Sequence, residues 1–449
     1  MQRRRFLISG ASLGSAGLLP GLSAGGAWAV AGSRSANDTV NIGVIGCKGM
    51  GASNLQAMLL TPNTRCIALC DVDRSVLTQR REDVRKATGR APQTFTDYRR
   101  LLDLNELDAV IIATPDHWHC LQMVDACSAG KHVYVEKPIA NSITETNAML
   151  VAAKYYGTVV QVGQWQRSGA HWQEAMRYVQ SGQLGQIRTV KAWAYMDWLK
   201  SIPKRPNEPA PPGVDYDMWL GPAPLRPFNP NRFHFTFRWF WDYAGGLMTD
   251  WGVHLLDVVL WGMGASAPHK VMSSGGNFAY PSSAMETPDT QQAIYQFDDF
   301  TMIWEHANGI GLGPFQRSHG IAFIGNNGTL VVDRGKWEVL PEMARDGTKA
   351  TPKVAPVAQQ LGRKGEGGLA QHTANFIDCI RNGGKPNCDI ETGSLAAINA
   401  HLGNIALLTG ATLQWDASAS RFTSNQRAND MLTPSYRSPW QLPPSVYPN

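Results

Sequence analysis

The 449-residue sequence lacks the features that would point to a nucleic acid, a membrane or a metal as its partner. It has no long basic run, and a formal net charge of only +5 argues against nucleic-acid binding. Beyond residues 1–29, no stretch offers the ~20 consecutive apolar residues that a membrane span requires, so we expect a soluble mature protein. The seven cysteines are not spaced as zinc ligands, and no internal repeat is visible. We therefore predict no metal site.

The chain begins with a segment that resembles a twin-arginine export signal. Three arginines within Arg3–Leu7 precede a glycine- and serine-rich apolar stretch, and Ala27–Ala29 supplies the small residues of a cleavage site. An uncleaved anchor is the alternative, but the apolar stretch is shorter than a membrane span. Removal of residues 1–29 predicts a periplasmic or otherwise exported protein of 420 residues with a formal charge of +2. Because this route carries folded proteins, we expect cytoplasmic cofactor loading and buried free thiols.

A glycine-rich turn after the first apolar run predicts a dinucleotide site. Asn41–Ile45 has the pattern of a buried strand, and a helical pattern follows from Ala52. Such a unit directs backbone N–H groups and a helix N-terminus at one point, which suits a pyrophosphate. The fingerprint G-x-G-x-x-G is matched only in part, because a lysine replaces its second glycine, and a turn that binds nothing is the alternative. The candidate cofactor-binding residues here are Gly46, Lys48, Gly49, Met50 and Gly51.

The next acidic residue strengthens this interpretation. A second strand-like run, Arg65–Cys70, is followed by Asp71, 20 residues after Gly51, where a dinucleotide site places a carboxylate on the adenosine ribose. A carboxylate there repels a 2′-phosphate, so NAD is favoured over NADP, although the nearby Arg74 leaves NADP open. The alternative is that Asp71 only caps the helix that begins near Arg74.

Residues 40–162 alternate apolar runs with helical periodicity, the pattern of an α/β fold with a doubly wound parallel sheet. Ligands bind such sheets at the carboxyl ends of the strands. Polar residues follow three of the expected strands, at Asp71, at Thr114–His119 and at Glu136–Pro138. We predict that these three groups converge on the ligand, with ordinary loop polarity as the alternative for the histidines. The further strands are expected at 107–113, 132–135 and 159–162, and the helices near 74–88, 120–129 and 144–156.

The second half predicts an α+β domain with a large open, mainly antiparallel sheet. Aromatic residues and arginines crowd residues 163–250, which suits sugar stacking, with core packing as the alternative. The better stacking candidates are Trp165, Trp172, Trp239 and Trp241. Strands are expected at 270–273, 291–297, 301–306, 321–324 and 330–332, a mobile loop at 344–368, and helices at 369–381 and 392–408. The predicted domains are 38–162 and 163–430, with a C-terminal tail at 431–449.

One helical run in this second half carries a candidate acid/base pair. Within Leu247–Leu260, Asp250 and His254 are four residues apart and share one helical face. A carboxylate one turn away can fix an imidazole ring and support its charged form. A surface ion pair or a satisfied core histidine is the alternative. Asp257, a further turn along, is expected to be a structural hydrogen-bonding partner.

Two of these motifs, in this order, resemble the glucose–fructose oxidoreductase/inositol dehydrogenase (Gfo/Idh/MocA) family. They are Glu136-Lys137-Pro138 at a strand end and the Gly246-x-x-x-Asp250-x-x-x-His254 motif. The resemblance implies a Rossmann domain followed by an α/β domain whose open sheet mediates homo-oligomers. It also implies that Lys137 holds the reacting oxygen of a sugar-like substrate, that His254 is the general acid/base, and that Asp250 orients both. Along the nicotinamide and its ribose it places Thr114, Pro115, His117, His119 and Glu136.

The resulting first hypothesis is an NAD-dependent oxidoreductase acting on a sugar, polyol or glycoside. A neutral histidine accepts the hydroxyl proton as hydride leaves, and an ammonium stabilises the developing alkoxide. Because the periplasm is not expected to hold free NAD, the cofactor should be tightly bound and regenerated in place.

Two other functions stay open. The first is a redox-neutral glycoside hydrolase that oxidises a ring hydroxyl transiently, eliminates the aglycone and later returns the hydride, although no dedicated second acid/base is evident in the sequence. The second is a non-catalytic sugar-binding protein, which the presence of Lys137, Asp250 and His254 disfavours.

Overall fold

Six parallel strands form the first sheet, in the order β3-β2-β1-β4-β5-β6. This computed structural model describes residues 39–363 and 365–444, so the predicted leader, Lys364 and residues 445–449 lie outside the described chain. The strands are β1 Val40–Ile45, β2 Thr64–Cys70, β3 Gln93–Phe95, β4 Ala109–Ile112, β5 His132–Val135 and β6 Val160–Val162. The helices between them are α1 Gly49–Leu59, α2 Arg74–Thr88, α3 Tyr98–Leu102, α4 Asp116–Ser128 and α5 Ile143–Tyr156. The predicted doubly wound parallel sheet is confirmed.

Local signals set the ends of these elements. Asp73, not Asp71, caps α2, because its carboxylate accepts a hydrogen bond from the Ser75 amide, and Gly89 ends the helix with φ of 74°. The capping alternative for Asp71 is therefore wrong. Strand β3 and helix α3 are only three and five residues long, too short to show a periodic pattern, and were not predicted.

The polar segment after β4 is helical rather than a loop. Helix α4 begins at Asp116 with Pro115 at its N-cap, so the histidines of Thr114–His119 lie in the first turn of the helix. A proline immediately before a helix is compatible with its start, because its fixed φ matches and no N–H is lost from the ladder. The sequence predicted that this helix starts at residue 120, and it begins four residues earlier.

The second sheet has ten strands, in the order β16-β13-β12-β11-β7-β10-β9-β8-β17-β18. Its pairs are antiparallel apart from β7 with β10. The strands are β7 Ile187–Met196, β8 Lys270–Gly276, β9 Thr290–Gln296, β10 Thr301–Asn308, β11 His319–Gly325, β12 Gly328–Val332 and β13 Lys336–Pro341. They continue with a hairpin, β14 Met343–Asp346 and β15 Lys349–Pro352, then β16 Val357–Leu361, β17 Leu413–Asp416 and β18 Arg421–Phe422. The predicted open, mainly antiparallel sheet is confirmed, but the loop expected at 344–368 contains the hairpin and an edge strand.

The second sheet shares one large core with the helices of this half. The helices are α6 Ala170–Gln180, α7 Tyr216–Leu220, α8 Val253–Met263, α9 Leu369–Asn382, α10 Ile390–Thr409 and α11 Gln426–Asp430. Trp172 and Trp239 are fully buried in that core, so their prediction as sugar-stacking residues was wrong. Helix α9 instead packs on the first sheet, where Phe376 and Ile377 share a cluster with Val44 of β1.

The cysteines and Asp257 are placed as the sequence predicted. All seven cysteines are buried free thiols, as predicted. Asp257 is fully buried and forms a bidentate ion pair with Arg167 at 2.8–2.9 Å, which confirms its structural role. Among the helices described, none is both long and apolar enough to cross a bilayer. Residues 39–363 and 365–444 also contain no group of three or more His, Cys, Asp or Glu placed to hold a metal.

Candidate active site

A crevice opens at the carboxyl ends of the first sheet's strands, facing the second half of the chain. Its wall includes the glycine turn after β1, Asp71 after β2, Thr114 and Pro115 after β4, and Glu136 and Lys137 after β5. The second half contributes Asp250 together with Phe237 and Arg238. The three polar groups predicted from the sequence therefore converge, as a parallel sheet requires.

The glycine turn allows close backbone packing at the start of α1. Gly46 has φ of 85°, and a Cβ there would lie 2.7 Å from the backbone of Ala113 and Thr114. A Cβ on Gly51 would lie 1.9 Å from the carbonyl oxygen of Gly46. Lys48 is the N-cap of α1, and its side chain is exposed and makes no capping hydrogen bond. The turn thus fits a dinucleotide pyrophosphate, and the exposed Lys48 is among the residues that line the crevice beside it.

We expect Gly51→Ala to weaken binding of a nicotinamide dinucleotide by about tenfold or more, because the new Cβ forces α1 away from the end of β1. Titration of the purified protein with NADH, followed by calorimetry, measures the change. Gly89→Ala is the control: Gly89, unlike Gly51, has a positive φ, but a Cβ there meets nothing within 4 Å. Equal affinities in the two variants would contradict the role given to the turn.

Asp71 is tied to the turn that precedes it. Its Oδ2 accepts a hydrogen bond from the Cys47 amide at 2.8 Å, and its Oδ1 accepts one from the Asp73 amide at 3.0 Å. Burial raises the pKa of Asp71, and these two hydrogen bonds oppose the rise. A carboxylate has about four lone-pair sites, so two amides leave room for ribose hydroxyls. The residue therefore fits the role predicted for it in a dinucleotide site.

Lys137 lies at the centre of a charged cluster between the two halves. Its Nζ donates to the backbone oxygen of Asp250 at 2.8 Å and to Asp250 Oδ1 at 2.9 Å. Arg238 Nε donates to the same carboxylate oxygen at 3.1 Å. Despite burial, these two cations hold the pKa of Asp250 well below its usual range. Asp250 is therefore ionised, and it positions an ammonium in the crevice.

His254 lies one turn beyond Asp250, but the two are not hydrogen-bonded. The turn Met248–Gly252 is a π-helix, a wider turn that often occurs at functional sites, and α8 begins only at Val253. The Nδ1 of His254 is buried without a partner. Burial, then the charges of Lys137 and Arg334, lower the His254 pKa well below its usual range. The ring is a neutral imidazole beside Lys137, as a proton acceptor must be.

Glu136 and His119, two of the residues predicted on the cofactor side, line the crevice. Glu136 Oε1 accepts a hydrogen bond from Asn54 at 2.7 Å. His119 bridges two strand ends, with Nδ1 2.7 Å from the Pro138 oxygen and Nε2 2.8 Å from the Thr114 oxygen. Burial lowers the pKa of His119 to about 4, so it is neutral and donates to one of these carbonyls.

His117 is not brought to the crevice surface. Its Nε2 lies 3.1 Å from the backbone oxygen of Trp219, and its ring packs against Trp118, Trp219 and Tyr243. Burial lowers its pKa to about 4. His117 therefore supports the aromatic packing behind the crevice and does not line it.

Asp116 is a crevice residue that the sequence analysis did not single out. It is 6% exposed at the first position of α4, and it faces the crevice with Lys137 and Arg238. Burial raises its pKa to about 8, against the opposing effect of these two cations. At neutral pH its carboxyl group therefore carries a proton. The one local signal for Asp116 in the sequence is its position between the end of a strand and the start of a helix.

Because Asp116 is protonated in the folded protein up to about pH 8 but ionises near pH 4 when unfolded, its burial lowers the free energy of unfolding progressively across that interval. We expect Asp116→Asn to raise the unfolding temperature by about 2–5 °C at pH 8 and to leave it unchanged at pH 4. Calorimetry at both pH values tests this. Asp298→Asn, at a 99% exposed side chain, is the control. An equal shift at both pH values would contradict the assignment.

Two tryptophans, Trp165 and Trp251, lie against His254, and an arginine contacts both of them. Arg334, in the turn between β12 and β13, lies with its Cζ 4.8 Å from the ring centroid of Trp165 and 4.2 Å from that of Trp251. Trp165 is thus the predicted stacking candidate that reaches this region. Trp241 instead donates from its Nε1 to the Glu286 oxygen. Arg238, Arg334 and Trp251 were missed, and for Arg334 the reason is that its partners Trp165 and Trp251 are distant in sequence.

Two family models match the chain in succession. One, described as an oxidoreductase family with an NAD-binding Rossmann fold, matches residues 40–164. The other, described as the C-terminal alpha/beta domain of an oxidoreductase family, matches residues 169–307. Together they cover more than half of the chain. The first sheet is thus an NAD-binding Rossmann domain, and the crevice at its strand ends is the place for a nicotinamide cofactor.

Similar proteins match only parts of the chain or match it distantly. The uncharacterized oxidoreductase YrbE of Bacillus subtilis is 25% identical over 252 residues, which is 56% of this chain and 61% of that protein. An alpha-N-acetylgalactosaminidase of Shewanella oneidensis is 31% identical over 112 residues, 24% of each chain. The chain thus spans less than two thirds of these relatives. The crystal structure of an aldose-aldose oxidoreductase from Caulobacter crescentus, complexed with glycerol, superposes with a TM-score of 0.63 at 19% identity, covering 84% of this chain and 99% of that chain. That structure shares the fold.

Proposed function

Since the chain belongs to the Gfo/Idh/MocA family of oxidoreductases, we propose that it transfers hydride between a tightly held nicotinamide cofactor and a hydroxyl of a sugar, polyol or glycoside. One observation carries this proposal. The Lys137 ammonium, from the end of β5, is held by Asp250 in the Rossmann crevice, and the His254 imidazole, one turn beyond Asp250, lies near enough for the Lys137 charge to lower its pKa. This arrangement supplies both a cation for an alkoxide and an acceptor for its proton.

The roles of these residues follow from their charges. The bound nicotinamide would accept hydride from the carbinol carbon and return it. Lys137, held by Asp250, donates a hydrogen bond to the substrate oxygen and stabilises its developing negative charge. Neutral His254 takes the hydroxyl proton during oxidation and gives it back during reduction. Asp250 and Arg238 fix the position of the ammonium, so little reorganisation is needed when charge develops.

We propose NAD rather than NADP, and an exported enzyme that keeps its cofactor. Asp71 would repel a 2′-phosphate, while Lys48 would approach the pyrophosphate from the solvent side. Denaturing the purified mature protein and analysing the released nucleotide tests both points. Stoichiometric NAD(H) is expected, whereas NADP(H) or no nucleotide would contradict this part of the proposal. Recovery of the protein from the periplasm, with residues 1–29 removed, tests the export signal.

A redox-neutral glycoside hydrolase is the second candidate, and two observations favour it. One is the similarity to the Shewanella alpha-N-acetylgalactosaminidase. The other is Asp116, whose retained proton provides the additional acid that this chemistry needs for the departing aglycone. Incubation with a chromogenic glycoside, without added NAD, separates the candidates. Aglycone release with no net change in nicotinamide absorbance supports the hydrolase, while net absorbance change without release supports the oxidoreductase.

We also propose a homo-oligomer built through the open sheet, with a carbohydrate as the small-molecule partner. Met272 of β8 and Ile294 of β9 are paired in register and are each 39% exposed, which leaves apolar area for a second copy to cover. Light scattering of the purified protein measures the mass. A monomer at micromolar concentration would contradict this part.

A further inference from the structure

Arg334 is a partly buried cation that forms no ion pair with any described residue, although the more distant Asp250 carboxylate acts on its charge. Its Nε has no hydrogen-bond partner, and across residues 39–363 and 365–444 no carboxylate lies within ion-pair distance of its guanidinium. The adjacent Asp333 is already used, since it accepts hydrogen bonds from Arg317 and from the amides of Gly335 and Lys336. An unpaired charge removed from water is costly, and this cost is recovered when a ligand supplies the opposite charge.

The position of Arg334 points to the substrate. Its guanidinium contacts the rings of Trp165 and Trp251. The same two indoles lie against His254, with ring centroids 6.1 Å and 6.4 Å from the imidazole. Arg334 and the proposed base thus share two neighbours. Cation–π contact holds the guanidinium plane in place and leaves its in-plane N–H edge for a ligand.

We propose that Arg334 binds a carboxylate carried by the substrate, so that the substrate is a uronic acid or a glycoside of one. This inference rests on the function proposed above and adds the class of sugar. A planar guanidinium pairs with a carboxylate through two parallel hydrogen bonds. A neutral sugar would leave the cation without a partner, and a phosphate ester would bring almost two negative charges to a single guanidinium.

The same contact would couple substrate choice to catalysis. The Arg334 charge is one of the causes that lower the pKa of His254. A bound carboxylate neutralises that charge, so the pKa of His254 rises and the imidazole becomes a stronger base when an acidic sugar is present. A neutral sugar gives no such increase.

Calorimetry on the holoprotein tests the inference with matched pairs of methyl glycosides that differ only at carbon 6. The pairs are glucoside and glucuronide, galactoside and galacturonide, and mannoside and mannuronide, each with the 6-phosphate as a third arm. We expect at least one uronide to bind tenfold or more tightly than its neutral partner and more tightly than the phosphate. If no uronide binds at least tenfold more tightly than its neutral partner, or if the 6-phosphate binds most tightly of the three, the inference is wrong.

Variants then assign the effect to one residue. Arg334→Gln and Arg334→Lys should both remove the uronide advantage, because neither retains the bidentate fork. Arg188→Gln, at an exposed position of β7, removes the same charge and should keep the advantage. An advantage that survives Arg334→Gln would overturn the inference. If Arg334→Gln does not fold, Arg334→Lys and the wild-type comparison still decide.

Hydride transfer, followed at 340 nm on the same sugars, separates this inference from the proposed function. Turnover of neutral sugars with no uronide preference would overturn the carboxylate assignment and leave the oxidoreductase in place. Uronide binding through Arg334 without any hydride transfer would support the carboxylate assignment and overturn the proposed oxidoreductase function.

Discussion

Lys137→Met should lower kcat by about a thousandfold while the cofactor stays bound. The ammonium is aimed into the crevice by two contacts with Asp250, and removing one preorganised donor to a developing oxyanion costs about 10²–10³ in rate. Methionine retains the length and apolar volume of the stem, so the walls of the crevice remain. Steady-state rates with the best sugar substrate, together with the nicotinamide content of the variant, measure the two effects separately.

The chain offers a matched control in Lys131. This lysine is also nearly buried in the Rossmann domain, but its Nζ donates to the backbone oxygens of Leu104 and Leu107, away from the crevice. Lys131→Met should reduce the free energy of unfolding by about 1–3 kcal/mol, because it leaves carbonyls unpaired, and should keep kcat within about twofold. If Lys137→Met behaves in the same way as Lys131→Met, the ammonium has no part in the reaction.

His254→Asn should lower kcat/KM by about 10²–10⁴ and remove the acidic limb of the rate profile. The neutral ring is the active form for oxidation, so the wild-type rate falls only when the medium is acidic enough to protonate an imidazole whose pKa lies well below its usual range. Rates measured from pH 8 down to the lowest pH at which the protein stays folded should show that fall in the wild type and not in the variant. A merely structural histidine would leave the shape of the profile unchanged.

His401→Asn serves as the comparison. His401 lies in α10, with Nε2 3.1 Å from the Ala140 oxygen, and burial lowers its pKa to about 4. It is as buried as His254 but contacts none of the crevice residues named above. Its variant should lose stability and keep both kcat and the acidic limb. Retention of more than a tenth of wild-type activity by His254→Asn would refute its role as the base.

Local patterns were enough to predict most of the Rossmann domain. Strands buried on both faces produce continuous apolar runs such as Val110–Ile112, and caps such as Asp73 and Gly89 mark helix ends. Strand β7 was missed although it is central to the second sheet, because Arg188 and Lys191 interrupt its apolar pattern and its partners β10 and β11 lie more than 100 residues away.

The candidate site was predictable only where its groups follow a strand or share a helix. Lys137 and Asp250 came from such local patterns, and the structure joins them. The π-turn was not foreseeable, since the apolar spacing of Leu247–Leu260 is equally that of a regular α-helix. Arg238 and Arg334 carry no local signal at all. The surroundings of Arg334 are set by tertiary packing, which brings the turn between β12 and β13 beside Trp251, 83 residues earlier.

The placement of α9 has a consequence for how the protein is made. Phe376 and Ile377 complete the hydrophobic face of a sheet whose strands were synthesised more than 200 residues before. Helices α1 and α2 cover part of that face, but the part that α9 covers stays exposed during translation until α9 has left the ribosome. A fragment ending after β6 would expose it to water, so the nucleotide-binding half is not an independently excisable module, and the nascent chain has a long interval in which a chaperone can bind.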